Sequence, residues 1–199
     1  MALSRYALAL GSNRRHGRYG APACVIAAAL DALAEAGVRI VRVSSVIATP
    51  PLGPGGRAFA NAAAIVESAL SPPALLALLK AIEHAFGRRR GRRWGARVID
   101  LDIILWSGGR WPPFPRRPGP GRLAVPHAAW TGRDFVLVPL AQIAGGWRDP
   151  RSGRTVRHML GRLRPSGARR RLTVTRCINR EPASHGLVAQ SVEQRTFNL

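Results

Sequence analysis

Read for its apolar positions, the chain changes period several times between Arg5 and Trp106. Arg5 to Leu10 alternates as a strand does, and Gly11-Ser12-Asn13 breaks it before a loop containing glycine and arginine. Pro22 suits the first turn of a helix, and apolar residues from Val25 to Leu33 keep a helical period until Gly37 stops it. Val38, Ile40, Val41, Val43 and Val46 predict one β-branched strand ending at Ile47, followed by a rigid Pro/Gly loop from Thr49 to Gly56. Phe59 to Glu67 predicts another strand. Ser71-Pro72-Pro73 supplies an N-cap and early prolines for a helix to about Phe86. Its apolar stripe is Leu75, Leu78, Leu79 and Ile82, with Lys80 and Glu83 off the core side. Val98 to Trp106 is the last strong strand. The order β-α-β-β-α-β is that of a ferredoxin-like α+β sandwich, an antiparallel sheet with helices on one face.

Beyond that unit, Ser107 to Gly121 is rich in proline, glycine and arginine and predicts an exposed loop, most of all over 108–121. Leu123 to His127 resumes the pattern, and two C-terminal helical segments follow, from Phe135 to Ala144 and around Val156 to Leu163. The domain is expected to span 4–165. The pattern is lost over 166–199, whose ending from Val188 to Asn198 looks like a reading frame run through a transfer-RNA gene. That stretch is expected to be a basic, disordered extension.

Composition narrows the class. A chain of 199 residues, 46% hydrophobic, can bury one substantial core. No apolar run is long enough for a membrane helix, and the apolar stretch at the start is too short for a secretory signal, so a cytoplasmic protein is expected, without a membrane partner. Cys24 and Cys177 have neither zinc nor disulfide spacing. The net charge of +21 suggests an anionic partner: nucleic acid, a membrane surface or a phosphorylated small molecule. Arginine supplies nearly all of it, Lys80 being the only lysine. Alanine, glycine and proline are abundant too, the joint bias of a GC-rich coding sequence. Outside Arg88 to Arg97 the basic excess is therefore read as codon supply rather than as binding surface.

The candidate chemistry lies in the last strand. Asp100 and Asp102 fall on one face while Ile99, Leu101 and Ile103 fill the other. Paired carboxylates suit Mg²⁺, which takes oxygen ligands and commonly shares them with substrate phosphates. A solvated edge pair, or an ion pair with Arg97, explains the strand by itself equally well. Just upstream, the segment from Gly87 to Arg97 carries six arginines. Guanidinium forks grip phosphate oxygens and keep their charge, so acid pair and arginine run together resemble a phosphoryl-transfer site. There is no Walker loop, dinucleotide fingerprint, Gly-x-Ser-x-Gly, His-Glu-x-x-His or Cys-x-x-Cys.

Several pieces occur together in a familiar order: Leu10-Gly11-Ser12-Asn13, Thr49-Pro50-Pro51-Leu52-Gly53, Phe59-Ala60-Asn61-Ala62-Ala63, Ile82-Glu83, Gly87-Arg88, Arg93-Trp94-Gly95-Ala96-Arg97, Asp100-Leu101-Asp102 and Val125-Pro126-His127. In order and spacing they resemble the 6-hydroxymethyl-7,8-dihydropterin pyrophosphokinase family, from about Tyr6 to Arg164. The resemblance implies transfer of pyrophosphate from ATP to the dihydropterin, giving AMP, in folate biosynthesis. It implies two Mg²⁺ ions on Asp100 and Asp102, and Arg88 and Arg97 stabilising the transferring group. Glu83, His127 and Arg133 would meet ATP. Phe59 and Phe135 would sandwich the pterin, Asn61 would read its amide edge, and Trp94 would close over it. Backbone groups of Thr49, Pro50 and Leu52 would complete the pocket. Ala128 and Lys80 depart from the family, where a large residue and, in some members, a glutamine stand. A monomer with no specific nucleic-acid partner is expected. The rival reading is a basic nucleic-acid-binding protein on a ferredoxin-like sheet. Phe59 and Phe135 are not interleaved with basic residues as that would require, and the two aspartates would repel phosphate without a metal.

Overall fold

The computed structural model describes residues 3–50, 57–87, 98–113, 119 and 122–163, together with the backbone of 173–175. The elements are β1 (Ser4–Ser12), α1 (Pro22–Glu35), β2 (Arg39–Val43), β3 (Val46–Thr49), β4 (Phe59–Ser68), α2 (Pro72–Ala85), β5 (Asp100–Trp106), α3 (Asp134–Ala144), α4 (Val156–Arg162) and β6 (Thr173–Thr175). The sheet runs β5-β1-β4-β3-β6, with β2 also paired to β4, and the pairings are antiparallel. If β2 and β3 are counted as one interrupted strand, this is the strand order of the ferredoxin-like sandwich.

The interruption replaces the single strand expected from Val38 to Ile47. Ser44 takes over the ladder there: its amide donates to the Ala63 carbonyl (2.9 Å) and its hydroxyl accepts from the Ala63 amide (2.9 Å). A serine side chain that satisfies backbone groups in this way competes with regular pairing. The register of β2 on β4 also shifts between Ile40 and Arg42, the mark of a bulge.

Large side chains fill one face of the sheet. Tyr6, Leu8 and Leu10 of β1, Val66 of β4, and Leu101 and Ile103 of β5 pack against Val25, Ile26 and Leu33 of α1 and Leu75, Leu79 and Ile82 of α2. Burying each such side chain contributes about 1.5–3 kcal/mol, so this layer carries much of the stability. The two helices of the β-α-β-β-α-β unit thus share one face as expected, and the two C-terminal helices, α3 and α4, cover the opposite face. There Ala7, Ala63, Ile65, Ile104 and Leu105 meet Trp130, Leu137, Leu140, Val156 and Met159. The cause is visible in β4, where Ala62 to Val66 are all buried, so both parities of the strand are apolar.

Two peripheral expectations are refined. Trp111 lies in the loop expected to be exposed, yet its amide and carbonyl both pair with Val125 (2.8 and 3.0 Å) and its ring meets Trp106 edge-on at 6.4 Å. Residues 114–118, 120 and 121 lie outside the described residues. Within the stretch 166–199 set aside as a disordered extension, Thr173–Thr175 pairs with Val46–Ala48 as an edge strand, so that reading is corrected at these three residues. The rest of it, and the rigid loop expected over 51–56, fall outside the described residues. Among the described residues, no helix is long and apolar enough to cross a membrane.

Candidate active site

Strand register builds the site. Asp100 pairs with Gly11, and Gly11 with Asn61, so these three form one row across β5, β1 and β4. The next row is Asp102, Ala9 and Ala63. Both rows lie on the face that α3 and α4 cover further along, where Ala63 already belongs to the core and Ala9 packs against it. Small residues make the floor between the acids of β5 and the amide of β4. A Cβ on Gly11 would stand 3.3 Å from Asn61 Oδ1, tighter than an ordinary contact, so glycine lets the Asn61 side chain lie over β1. The Asn61 Nδ2 donates to Thr49 Oγ1 at 2.8 Å, and both residues are buried. Phe59, beside Thr49 in the ladder, and Phe135, in the first turn of α3, are half-buried. The Arg133 guanidinium lies 5.7 Å from the Phe135 ring centre, a cation–π contact at the head of α3. Pro50 is exposed at the end of β3.

His127 reaches the acids from a loop. Its amide donates to the Ile104 carbonyl at 3.1 Å, which ties it to β5 two residues beyond Asp102. Nδ1 accepts from the Ala129 amide (3.3 Å), leaving Nε2 to carry the proton of the neutral ring. Burial pushes its pKa below the ordinary histidine value, against the pull of the Asp102 charge, while Arg133 pushes the same way as burial and Asp100 opposes. One imidazole therefore feels both aspartates and the arginine that precedes α3. Its loop is held by a residue that the sequence reading overlooked. Arg151 Nη2 donates to the carbonyls of Pro126 (3.0 Å) and His127 (3.5 Å), and its own backbone is set by buried Asp149. A contact spanning 25 positions leaves no local signal in sequence.

Glu83 is not off the core side as its helical position predicts. Its carboxylate is 1% exposed, accepts from the Leu101 amide at 2.7 Å and pairs with Lys80 Nζ at 2.7 Å. Lys80 Nζ also donates to the Leu101 carbonyl (3.1 Å) and lies 3.8 Å from Asp102 Oδ1. The helix stripe alone could not reveal this, because the partner is the outer edge of β5, which among the described residues has no further strand to satisfy it. Arg88, Trp94, Arg97 and Leu52 lie outside the described residues.

Among the described residues, no three His, Cys, Asp or Glu gather as a self-sufficient metal cage. Asp100 and Asp102 instead supply what Mg²⁺ needs when phosphate oxygens complete its shell: two carboxylates on one face over a floor of Ala9 and Gly11. The donor set fits a cation shared with a nucleotide. At the other end of the rows, the Asn61 and Thr49 side chains lie beside the half-buried Phe59 in the ladder, a setting that suits a flat heterocycle with polar edges.

The family model described as 7,8-dihydro-6-hydroxymethylpterin-pyrophosphokinase matches residues 7–145. The chain is 40% identical over 170 residues to the 2-amino-4-hydroxy-6-hydroxymethyldihydropteridine pyrophosphokinase of Methylorubrum extorquens, covering 84% of this chain and 99% of that one. It is 41% identical over 150 residues to the protein of the same name from Pseudomonas aeruginosa, covering 74% and 85%. The crystal structure of Plasmodium falciparum HPPK-DHPS with pteroate shares the fold at a TM-score of 0.60 and 14% identity, over 80% of this chain. This chain spans only 42% of the length of that one. The chain belongs to the 7,8-dihydro-6-hydroxymethylpterin-pyrophosphokinase family.

Proposed function

We propose that Asp100, Asp102, His127 and Arg133 receive the nucleotide, and Thr49, Phe59, Asn61 and Phe135 the pterin, in the pyrophosphoryl transfer from ATP to 6-hydroxymethyl-7,8-dihydropterin that this family carries out. The observation that carries the reading is the pair of neighbouring rows, Asp100–Gly11–Asn61 and Asp102–Ala9–Ala63, which set both acids and the Asn61 amide on one face of the sheet. Acceptor and donor would then bind side by side on one rigid sheet, where proximity replaces a bimolecular encounter.

Magnesium, two ions by resemblance, would sit on the aspartates and draw negative charge from the phosphates when bound. The protein's own contribution is positional. Neutral His127 offers Nε2–H to a phosphate oxygen, and Arg133 adds a permanent positive charge. Asn61, with its Nδ2 held by Thr49, keeps its Oδ1 for the heterocycle's edge. Glu83 acts through Lys80 and Leu101 rather than by touching ATP, since its carboxylate is buried against them. Arg88 and Arg97 would brace the transferring group, and Trp94 and the backbone of Leu52 would close on the pterin. A monomeric, cytoplasmic enzyme whose domain spans 4–165 belongs to the same proposal.

Incubation of pure protein with ATP, Mg²⁺ and the dihydropterin should yield AMP. Formation of ADP instead would replace pyrophosphoryl transfer by ordinary phosphorylation.

A further inference from the structure

Strand β5 is the edge of the sheet, and Leu101 turns its backbone amide and carbonyl outward, away from β1. An edge strand normally leaves such groups to water. Here an ion pair from one turn of α2 takes both: Glu83 Oε1 accepts the amide (2.7 Å) and Lys80 Nζ donates to the carbonyl (3.1 Å). Leu101 is the residue between the two aspartates, so α2 grips the strand at the centre of the acid pair. The same ammonium stands 3.8 Å from Asp102 Oδ1, and its side chain is 41% exposed while that of Asp102 is 32% exposed. Both can still reach a ligand.

We propose that Lys80 is a positioning residue that competes with the divalent cation for Asp102 in the free protein and so sets how tightly that cation is held. The inference rests on the reading of Asp102 as a metal ligand. A positive charge this close to a carboxylate opposes a second one arriving at the same oxygen, although solvent at the half-exposed site screens the opposition. Glu83, buried and bonded to both Lys80 and Leu101, fixes where the ammonium stands. Lys80 being the chain's only lysine, no other ammonium of that length could replace it.

The test is Mn²⁺ binding to the nucleotide-free full chain, followed by electron paramagnetic resonance of the free ion. Lys80→Met should bind Mn²⁺ about tenfold more tightly than the native protein, and Lys80→Arg should stay close to native. Because Lys80→Met also removes an ion pair from buried Glu83, the double variant Lys80→Met with Glu83→Gln is measured beside it. It should still bind at least severalfold more tightly than native. Tight binding in the single variant that disappears in the double one would mean that Glu83 had taken the ion, and would overturn the proposal. So would unchanged or weaker binding in both. Adding Asp102→Asn to Lys80→Met should abolish the gain. A gain that survives this addition, with AMP still formed by the native protein, would displace Asp102 as ligand without touching the family's activity.

Discussion

One face of the sheet carries carboxylates at both ends, and the protein treats them in opposite ways. At one end, Glu67 lies between Arg5 on β1 and Arg39 on β2, its partners in the ladder, and both guanidinium groups bind its oxygens. Its side chain is 6% exposed. At the other end, four residues or about 13 Å further along the strands, Asp102 meets Lys80 at 3.8 Å and keeps 32% of its side chain exposed. A carboxylate closed in by arginines from its own sheet is a structural joint. One that shares its cation and stays open to solvent has room for a ligand, and the small floor of Gly11 and Ala9 beside it keeps that room.

The largest expected effect breaks the open end. Asp102→Asn should lower turnover by about two to three orders of magnitude, with the melting temperature nearly unchanged, because its part-exposed side chain belongs to neither packed cluster. Turnover measured as AMP release, beside thermal unfolding, checks this. Retained activity with the native Mg²⁺ dependence would remove Asp102 from the site.

The same chemical change at the closed end should do the reverse. Glu67→Gln leaves turnover intact and costs about 1–3 kcal/mol of stability, several degrees of melting temperature for a chain of this size. The hydrogen bonds from Arg5 and Arg39 hold the Glu67 carboxyl below the usual carboxylate range. Its stabilising share is therefore full above that range and is lost as pH falls through the lowered value. The native protein should accordingly lose its advantage over Glu67→Gln in acid and keep it at neutral pH. A stability gap that grew on acidification would contradict this.

The smallest effect sharpens the contrast between arginines. Arg151→Ala should raise the KM for ATP a few-fold, through the loosened carbonyls of Pro126 and His127, with kcat almost unchanged. Arg5→Ala should touch only stability. Steady-state kinetics on both variants separates the two kinds of arginine, and equal kinetics would show that His127 keeps its place without Arg151.

Much of this was legible along the chain. The change of period from two to 3.6 and back marks β1, α1, β4, α2 and β5 within a residue or two of their bounds, because each buries a face whose spacing its own geometry dictates. The acid pair was legible for the same reason: two residues apart in a strand means one face. Local alternation could not reveal that Ser44 would interrupt the second strand, since that depends on Ala63, nineteen positions away. Nor could it place α3 and α4 on the opposite face from α1 and α2.

What the sequence determines by itself is the set of elements and the residue types that face each way, since these follow from backbone geometry and side-chain polarity over a few neighbours. The tertiary structure alone decides which distant groups complete one another: Asn61 across Gly11 from Asp100, Arg151 beneath His127, Glu83 and Lys80 on the edge of Leu101. A buried polar group must find a partner wherever the fold brings one, and that choice is made by strand order and helix placement rather than by spacing along the chain.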